Sequence, residues 1–258
     1  MRRYTRPPLA GRTRAYLDRK AEEVRSLRTP AKMRQAIRRT WKHARQTKSV
    51  AEGVLGVLRT MAGKRERCMY CEDSRGTDID HFWPKSVYPK RTFEWANMLL
   101  SCSGCQRAKG DRFPLDKSNA PLLIDPTDED PWEHLFYVSE TGVITPRYDP
   151  ATGRQCPKGV ATTDLLPLND EAIACGRKRV SRRLVEAVRA FLDAVPRQSS
   201  DASGPRAADV LLEAVRDCPD YGLSRWYFAK DGHNEEPFRR LRANYPGIFK
   251  ELGNAVSS

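Results

Sequence analysis

Apolar residues recur at helical spacing near the start of the chain and again in its last third, and the pattern breaks down between them. A helical pattern begins near Thr13 and runs to about Leu27. Met33, Ile37 and Trp41 then fall four residues apart, which places them on one face of a second helix. Thr29 is suited to cap that helix, with Pro30 at its first position, where a missing N–H costs nothing. Ser49-Val50-Ala51-Glu52 has the form of a capping box and predicts a third helix over 50–62, stopped by Gly63. Residues 1–12, rich in arginine and proline, read as an extended arm.

Beyond Pro114 turn-forming residues dominate, and two β-like runs, Leu135–Val138 and Gly142–Ile144, predict a small hairpin. Helical periodicity returns near Asp170, with Val180, Leu184, Val188 and Phe191 on one face. Residues 197–205 read as a loop or linker before a short helix near 207–217. The aromatic pieces 224–229 and 245–249 are expected to pack against the helices. Four regions result: basic helices (1–66), a cysteine-bearing core (67–115), an acidic loop with a hairpin (116–169) and a C-terminal helical region (170–258). The expected class is α+β, mainly helical, with the core between two helical segments.

Charge sharpens this division. Residues 1–67 carry 20 Lys/Arg against 5 Asp/Glu, whereas 116–170 carry 4 against 10. A basic first quarter attracts polyanions, nucleic acid above all, although a solvated helical face has the same composition. Arg38, Arg39, Lys42 and Arg45 form one such run. The acidic 125–133 segment, with His134 beside it, reads as a solvated loop or a docking surface for a partner. No apolar run is long enough for a membrane span, and Met1-Arg2-Arg3 is not followed by the apolar part of a signal peptide. The expectation is a cytoplasmic protein with no membrane partner. His43 and His233 are expected at the surface.

In a reducing compartment, paired cysteines point to metal rather than to disulfides. Cys68/Cys71 and Cys102/Cys105 form two CxxC pairs, and four thiolates in a tetrahedron suit structural Zn²⁺. No thioredoxin-like βαβ pattern surrounds either pair, so a redox role is the weaker reading. Cys156, Cys175 and Cys218 are scattered and expected to be buried thiols.

The segment between the pairs holds the candidate chemistry. His81 suits a general base near neutral pH, and Asp80 offers a hard oxygen to a divalent cation. Neighbours on a strand point to opposite faces, so the two share a site only if the strand ends there, which Pro84 favours. Asn97 can bond the intervening loop and set the angle of His81. Alone, an asparagine there reads as an ordinary turn residue. Gln106 adds a neutral oxygen, and Lys85, Arg107, Lys109 and Arg112 are candidate phosphate contacts.

The segments DIDHFWPKS, FEWANMLLSC and CQRAKGDRFP resemble those of the HNH, or ββα-metal, nucleases. The resemblance implies a hairpin followed by a helix, with His81 as base, Asp80 and Gln106 as ligands of a catalytic Mg²⁺ or Mn²⁺, and Asn97 as the middle asparagine. Gln106 departs from the family, which usually has His or Asn there. The following stretches, PLLIDPTDEDPWEHLFY and TTDLLPLND, are similar to the PtuB-like subfamily found with retrons and in Septu-type antiphage systems. This implies a metal-dependent endonuclease acting on DNA or tRNA, with an ABC-type (PtuA-like) ATPase and, in retron systems, a reverse transcriptase with its msDNA as partners. The alternative is a zinc-stabilised nucleic-acid-binding or adaptor protein without catalysis.

Overall fold

In the computed structural model, which describes residues 1–195, 203–216 and 221–256, the N-terminal periodicity becomes three helices. These are α1 (Gly11–Arg25), α2 (Pro30–Ala44) and α3 (Leu55–Ala62). Thr29 caps α2 through its side chain, which accepts from the Lys32 N–H, and Pro30 opens the helix. Met33, Ile37 and Trp41 are buried along one face of α2, as Leu17, Ala21 and Val24 are along α1. Gly63, at φ 80°, ends α3. The capping box does not form. The N–H groups of Val50 and Ala51 already bond the Thr47 carbonyl, so Ser49 falls inside a π-helical turn over Ser49–Val54.

The helices are followed by β1 (Asp78–His81), β2 (Met98–Ser101) and α4 (Ser103–Lys109). Next come β3 (Leu135–Val138), β4 (Val143–Pro146) and the two-residue strands β5 (Tyr148–Asp149) and β6 (Arg154–Gln155). The chain continues with α5 (Pro157–Leu165), α6 (Glu171–Ala194), α7 (Ser203–Arg216), α8 (Leu223–Ala229), α9 (Phe238–Asn244) and α10 (Pro246–Ala255). The class is α+β, mainly helical, with two-stranded sheets β1-β2, β3-β4 and β5-β6. None of these helices is long and apolar enough to cross a membrane.

The chain divides into two compact units. The first holds Arg3–His134 and Pro146–Leu168 and contains both cysteine pairs. The second holds Leu135–Thr145 and the chain from Asn169 onward. In the second unit α6 buries Val180, Leu184, Val188 and Phe191, as its periodicity predicts. The aromatic segments also pack inward: Tyr227 stacks on Phe238 with ring centroids 4.1 Å apart, and Trp226 and Phe249 are buried. Of the expected linker, 197–202 lies outside the described residues, and Ser203 already begins α7.

Two expectations fail. Cys175 is exposed and Cys156 partly exposed, because neither falls on the buried stripe of its element; Cys218 lies outside the described residues. The acidic loop is also not a solvated surface. Asp130 is buried and accepts from the Trp132 N–H, and Asp125 accepts from Thr127, so only Asp128 and Glu133 of that cluster remain exposed. His43 is exposed, and His233 partly so.

Gly142 closes the turn before β4 at φ 79°, and a Cβ there would lie 2.3 Å from the Ala174 carbonyl oxygen on α6. The Gly142→Ala variant is therefore expected to lose about 1–3 kcal/mol of stability, from the left-handed conformation combined with the clash. A urea-unfolding midpoint equal to the wild-type value would contradict this.

Candidate active site and metal clamp

Cys68, Cys71, Cys102 and Cys105 are buried, with all four sulfurs within 4.8 Å of one another. A tetrahedral zinc with bonds of about 2.3 Å spaces its sulfurs about 3.8 Å apart. Sγ of Cys71 and Sγ of Cys102 are 3.9 Å apart, so the cluster is shaped for such a metal. The first pair is brought there by backbone bonds alongside β2, with the Met69 N–H donating to the Leu100 carbonyl at 2.8 Å. The second pair opens α4, where Cys102 occupies the N-cap and its sulfur accepts from the Cys105 N–H.

β1 runs antiparallel to β2, pairing Asp80 with Leu99 and His81 with Met98. The strand ends at His81, and both Asp80 and His81 reach the same cleft of about 360 Å³. The other lining residues include Ile37, Arg34 and Arg38 from α2, Lys85 from the loop after β1, and Lys109 and Asp111 at the end of α4.

His81 is only 2% exposed. Its ring lies edge-on to Trp41 at 4.4 Å, so the buried face of α2 supports the imidazole. Nε2 lies 2.9 Å from the Thr92 carbonyl, and a carbonyl only accepts, so Nε2 carries the proton. Nδ1 is then the nitrogen with the lone pair, and it is buried without a hydrogen-bond partner. Burial, reinforced by the charges of Lys85 and Lys109 and opposed by the Thr92 bond, lowers the His81 pKa to about 3. The ring is therefore neutral at physiological pH.

Asp80 is held rather than free. Its Oδ2 accepts from the Tyr70 hydroxyl at 2.8 Å and from Lys109 Nζ at 2.9 Å. Lys109 is fully buried and also donates to the His81 carbonyl at 2.6 Å. One ammonium thus bridges the two residues of the Asp80-His81 pair. Burial and the Asp80 charge keep the Tyr70 hydroxyl protonated, as the donor this bond requires.

Asn97 makes three bonds from a buried position. Oδ1 accepts from the Trp83 N–H at 2.7 Å, and Nδ2 donates to the carbonyls of Trp83 and Arg91 at 3.1 and 3.0 Å. It fastens both ends of the loop that follows His81. Arg6 of the N-terminal arm holds the same loop from outside, donating to the carbonyls of Trp95 and Met98 on either side of Asn97.

Asp80, His81, Lys85 and Lys109 thus meet at one cleft, while Asn97 supports it from behind. Gln106 does not line the cleft, and its buried Nε2 has no hydrogen-bond partner. Arg107 is exposed on α4, and Arg112, also exposed, bonds back to the Ala108 carbonyl. Sequence reasoning missed Arg34 and Tyr70. Arg34 and Arg38 are one helical turn apart, and the four-residue spacing was the available signal.

Two outcomes follow. Purified protein is expected to carry one zinc per chain, and chelation should lower the unfolding midpoint and make four more thiols titratable; metal-free protein of unchanged stability would contradict the clamp. Asn97→Ala is expected to cost about 2 kcal/mol or more in denaturant unfolding, because a buried N–H and two carbonyls lose their partner. An unchanged midpoint would show that the loop does not depend on it.

Two curated relatives are similar to this chain. Septu protein PtuB of Bacillus thuringiensis is 29% identical over 133 residues, covering 49% of this chain and 46% of the relative. Septu protein PtuB of Bacillus mycoides (strain KBAB4) is 31% identical over 123 residues, covering 36% of this chain and 41% of the relative. The chain thus spans about half the length of the curated relatives it matches. No protein-family model matches the chain, and no solved structure matches it. The chain is thus similar, over 49% and 36% of its length, to two proteins named Septu protein PtuB.

Proposed function

We propose that this chain is a metal-dependent endonuclease of the HNH type, hydrolysing phosphodiester bonds of DNA or tRNA in antiphage defence alongside an ABC-type ATPase. The observation that carries this reading is the convergence of Asp80 and His81 on a cationic cleft, at the end of a short hairpin closed by a four-thiol clamp and a helix. The similarity to Septu protein PtuB supports the defence role, and the ATPase partner is what the resemblance of the sequence to that subfamily implies. A retron reverse transcriptase is not part of the proposal. Zinc on the four cysteines is structural in this reading.

The chemistry assigns each group a task. His81 Nδ1 accepts the proton of the attacking water, its tautomer fixed by the Thr92 carbonyl. Its depressed pKa makes it a weak base in the empty cleft, but an incoming phosphate sets negative charge against Lys85 and Lys109 and strengthens it. Arg34, Arg38 and Lys85 bind the phosphate backbone. Asp80 has one oxygen with no hydrogen bond, and a Mg²⁺ or Mn²⁺ that keeps most of its water needs only one or two protein oxygens. The donor set fits such an ion at Asp80, the direct ligand, while Gln106, which does not line the cleft and leaves only a donating nitrogen unpaired, is assigned no contact to it. When bound, the ion supplies charge neutralisation at the phosphate and the leaving oxygen.

A second reading, a binding or adaptor protein without catalysis, is favoured by one observation. Lys109 already places a positive charge on Asp80, where a catalytic ion would sit.

Cleavage of plasmid and of tRNA with Mg²⁺ or Mn²⁺, with and without the ATPase, separates the two. His81→Ala is expected to reduce cleavage by folded protein about 10²–10⁴-fold, and also to lower the unfolding midpoint, because the buried ring packs on Trp41 and bonds the Thr92 carbonyl. Unchanged cleavage removes His81 as base, and no product with any divalent ion and partner supports the adaptor. Arg34→Ala and Arg38→Ala are each expected to weaken nucleic-acid binding and lower the slope of log affinity against log salt by about one. A slope equal to wild type would place the phosphate elsewhere.

A further inference from the structure

A second cluster of reactive groups lies outside the cleft, where the acidic loop meets the start of α5, wholly within the first unit. His134 stands between Glu129 and Cys156. Its Nε2 is 2.9 Å from Glu129 Oε2, and since a carboxylate only accepts, that nitrogen carries a proton. Nδ1 therefore faces Cys156 Sγ, at 3.3 Å.

Glu129 is fixed in turn. Its Oε2 also receives Lys158 Nζ at 2.5 Å, and its Oε1 accepts the Asp125 N–H at 3.1 Å. Cys156 sits at the N-cap of α5, near the N–H groups of Lys158 and Gly159 but without a cap hydrogen bond of full geometry. Burial acts to raise its thiol pKa, but the N–H groups of Gly159 and Lys158 together with His134 hold it below the ordinary value. The Glu129 bond raises the imidazole above its ordinary value, which brings the proton affinities of ring and thiol together.

Gly159 permits this geometry. A Cβ there would lie 2.3 Å from the His134 carbonyl oxygen, so α5 approaches the histidine only because no side chain intervenes.

The arrangement is not a metal site. The imidazole separates the sulfur from the carboxylate, and among the described residues only the four-cysteine cluster brings three or more such ligands within reach of one ion. A cysteine, a histidine and a carboxylate in series is instead the order that generates a thiolate and supplies a proton to whatever leaves. Cys156 is also partly exposed, unlike the four clamp cysteines.

We propose that Cys156 is a peroxide-reactive thiolate, with His134 as its proton donor and Glu129 as the group that positions the imidazole. The sulfur attacks one oxygen of hydrogen peroxide, forming an S–O bond as the O–O bond breaks. Sulfur gives up two electrons and becomes a sulfenic acid, and the departing hydroxide takes the His134 Nδ1 proton to leave as water.

The test uses the full-length, zinc-loaded protein at neutral pH, treated with limiting hydrogen peroxide and dimedone and read by peptide-resolved mass spectrometry. Exposed Cys175 serves as internal reference, and the peptide map separates Cys156 from the clamp. Cys156 is expected to be trapped about tenfold faster than Cys175 or more. His134→Gln and Glu129→Gln should each remove that advantage while leaving the Cys175 rate and the circular dichroism unchanged. Equal rates at the two cysteines in the wild type, or an advantage that survives His134→Gln in folded protein, would overturn the proposal. If His134→Gln does not fold, the wild-type ratio alone decides.

Discussion

The four sulfurs are the constraint on which the candidate site depends. β1 and β2 have four residues each, and an isolated hairpin of that size is marginal in water. The cysteine cluster brings the segment before β1 to the start of α4, which follows β2 directly, so the pair is closed at one end by it. At the other end Asn97 fastens the loop that leaves His81. Between these two fixings the end of β1 has little freedom, and Asp80 and His81 are presented together. Trp41 completes the support by bringing α2 against the imidazole, which makes the basic helix part of the site.

What was legible in the sequence was mostly local. CxxC spacing identified the four-cysteine cluster because two thiols three residues apart can reach one ion from a single turn. Thr29-Pro30 and the Met33, Ile37, Trp41 stripe placed α2 because capping and periodicity depend only on near neighbours. Ser49 misled because its capping pattern lies inside a turn already nucleated at Thr47. The acidic loop misled for a non-local reason: composition predicts solvation, but Arg6 and Lys158, distant in sequence, bond to Thr127 and Glu129. Lys109 carried a signal that went unused. It lies one helical turn after Cys105, hence on the same buried face, so a surface phosphate contact was not its natural role.

That lysine also explains the electrostatics of the cleft. A buried ammonium requires a partner, and Asp80 together with the His81 carbonyl provides it. The Asp80 charge is then largely answered by Lys109, so Arg34, Arg38 and Lys85 outnumber the one remaining acid, Asp111, around a neutral imidazole. In this state the cleft carries positive charge while its histidine is held in the unprotonated form. A phosphate entering the cleft, as proposed, would offset the Lys85 charge and raise the basicity of Nδ1, while burial, the larger cause of its low pKa, stays in place. The low pKa of His81 is therefore compatible with a base that gains strength on substrate binding, and it keeps the ring from being protonated, and so disabled, before substrate arrives.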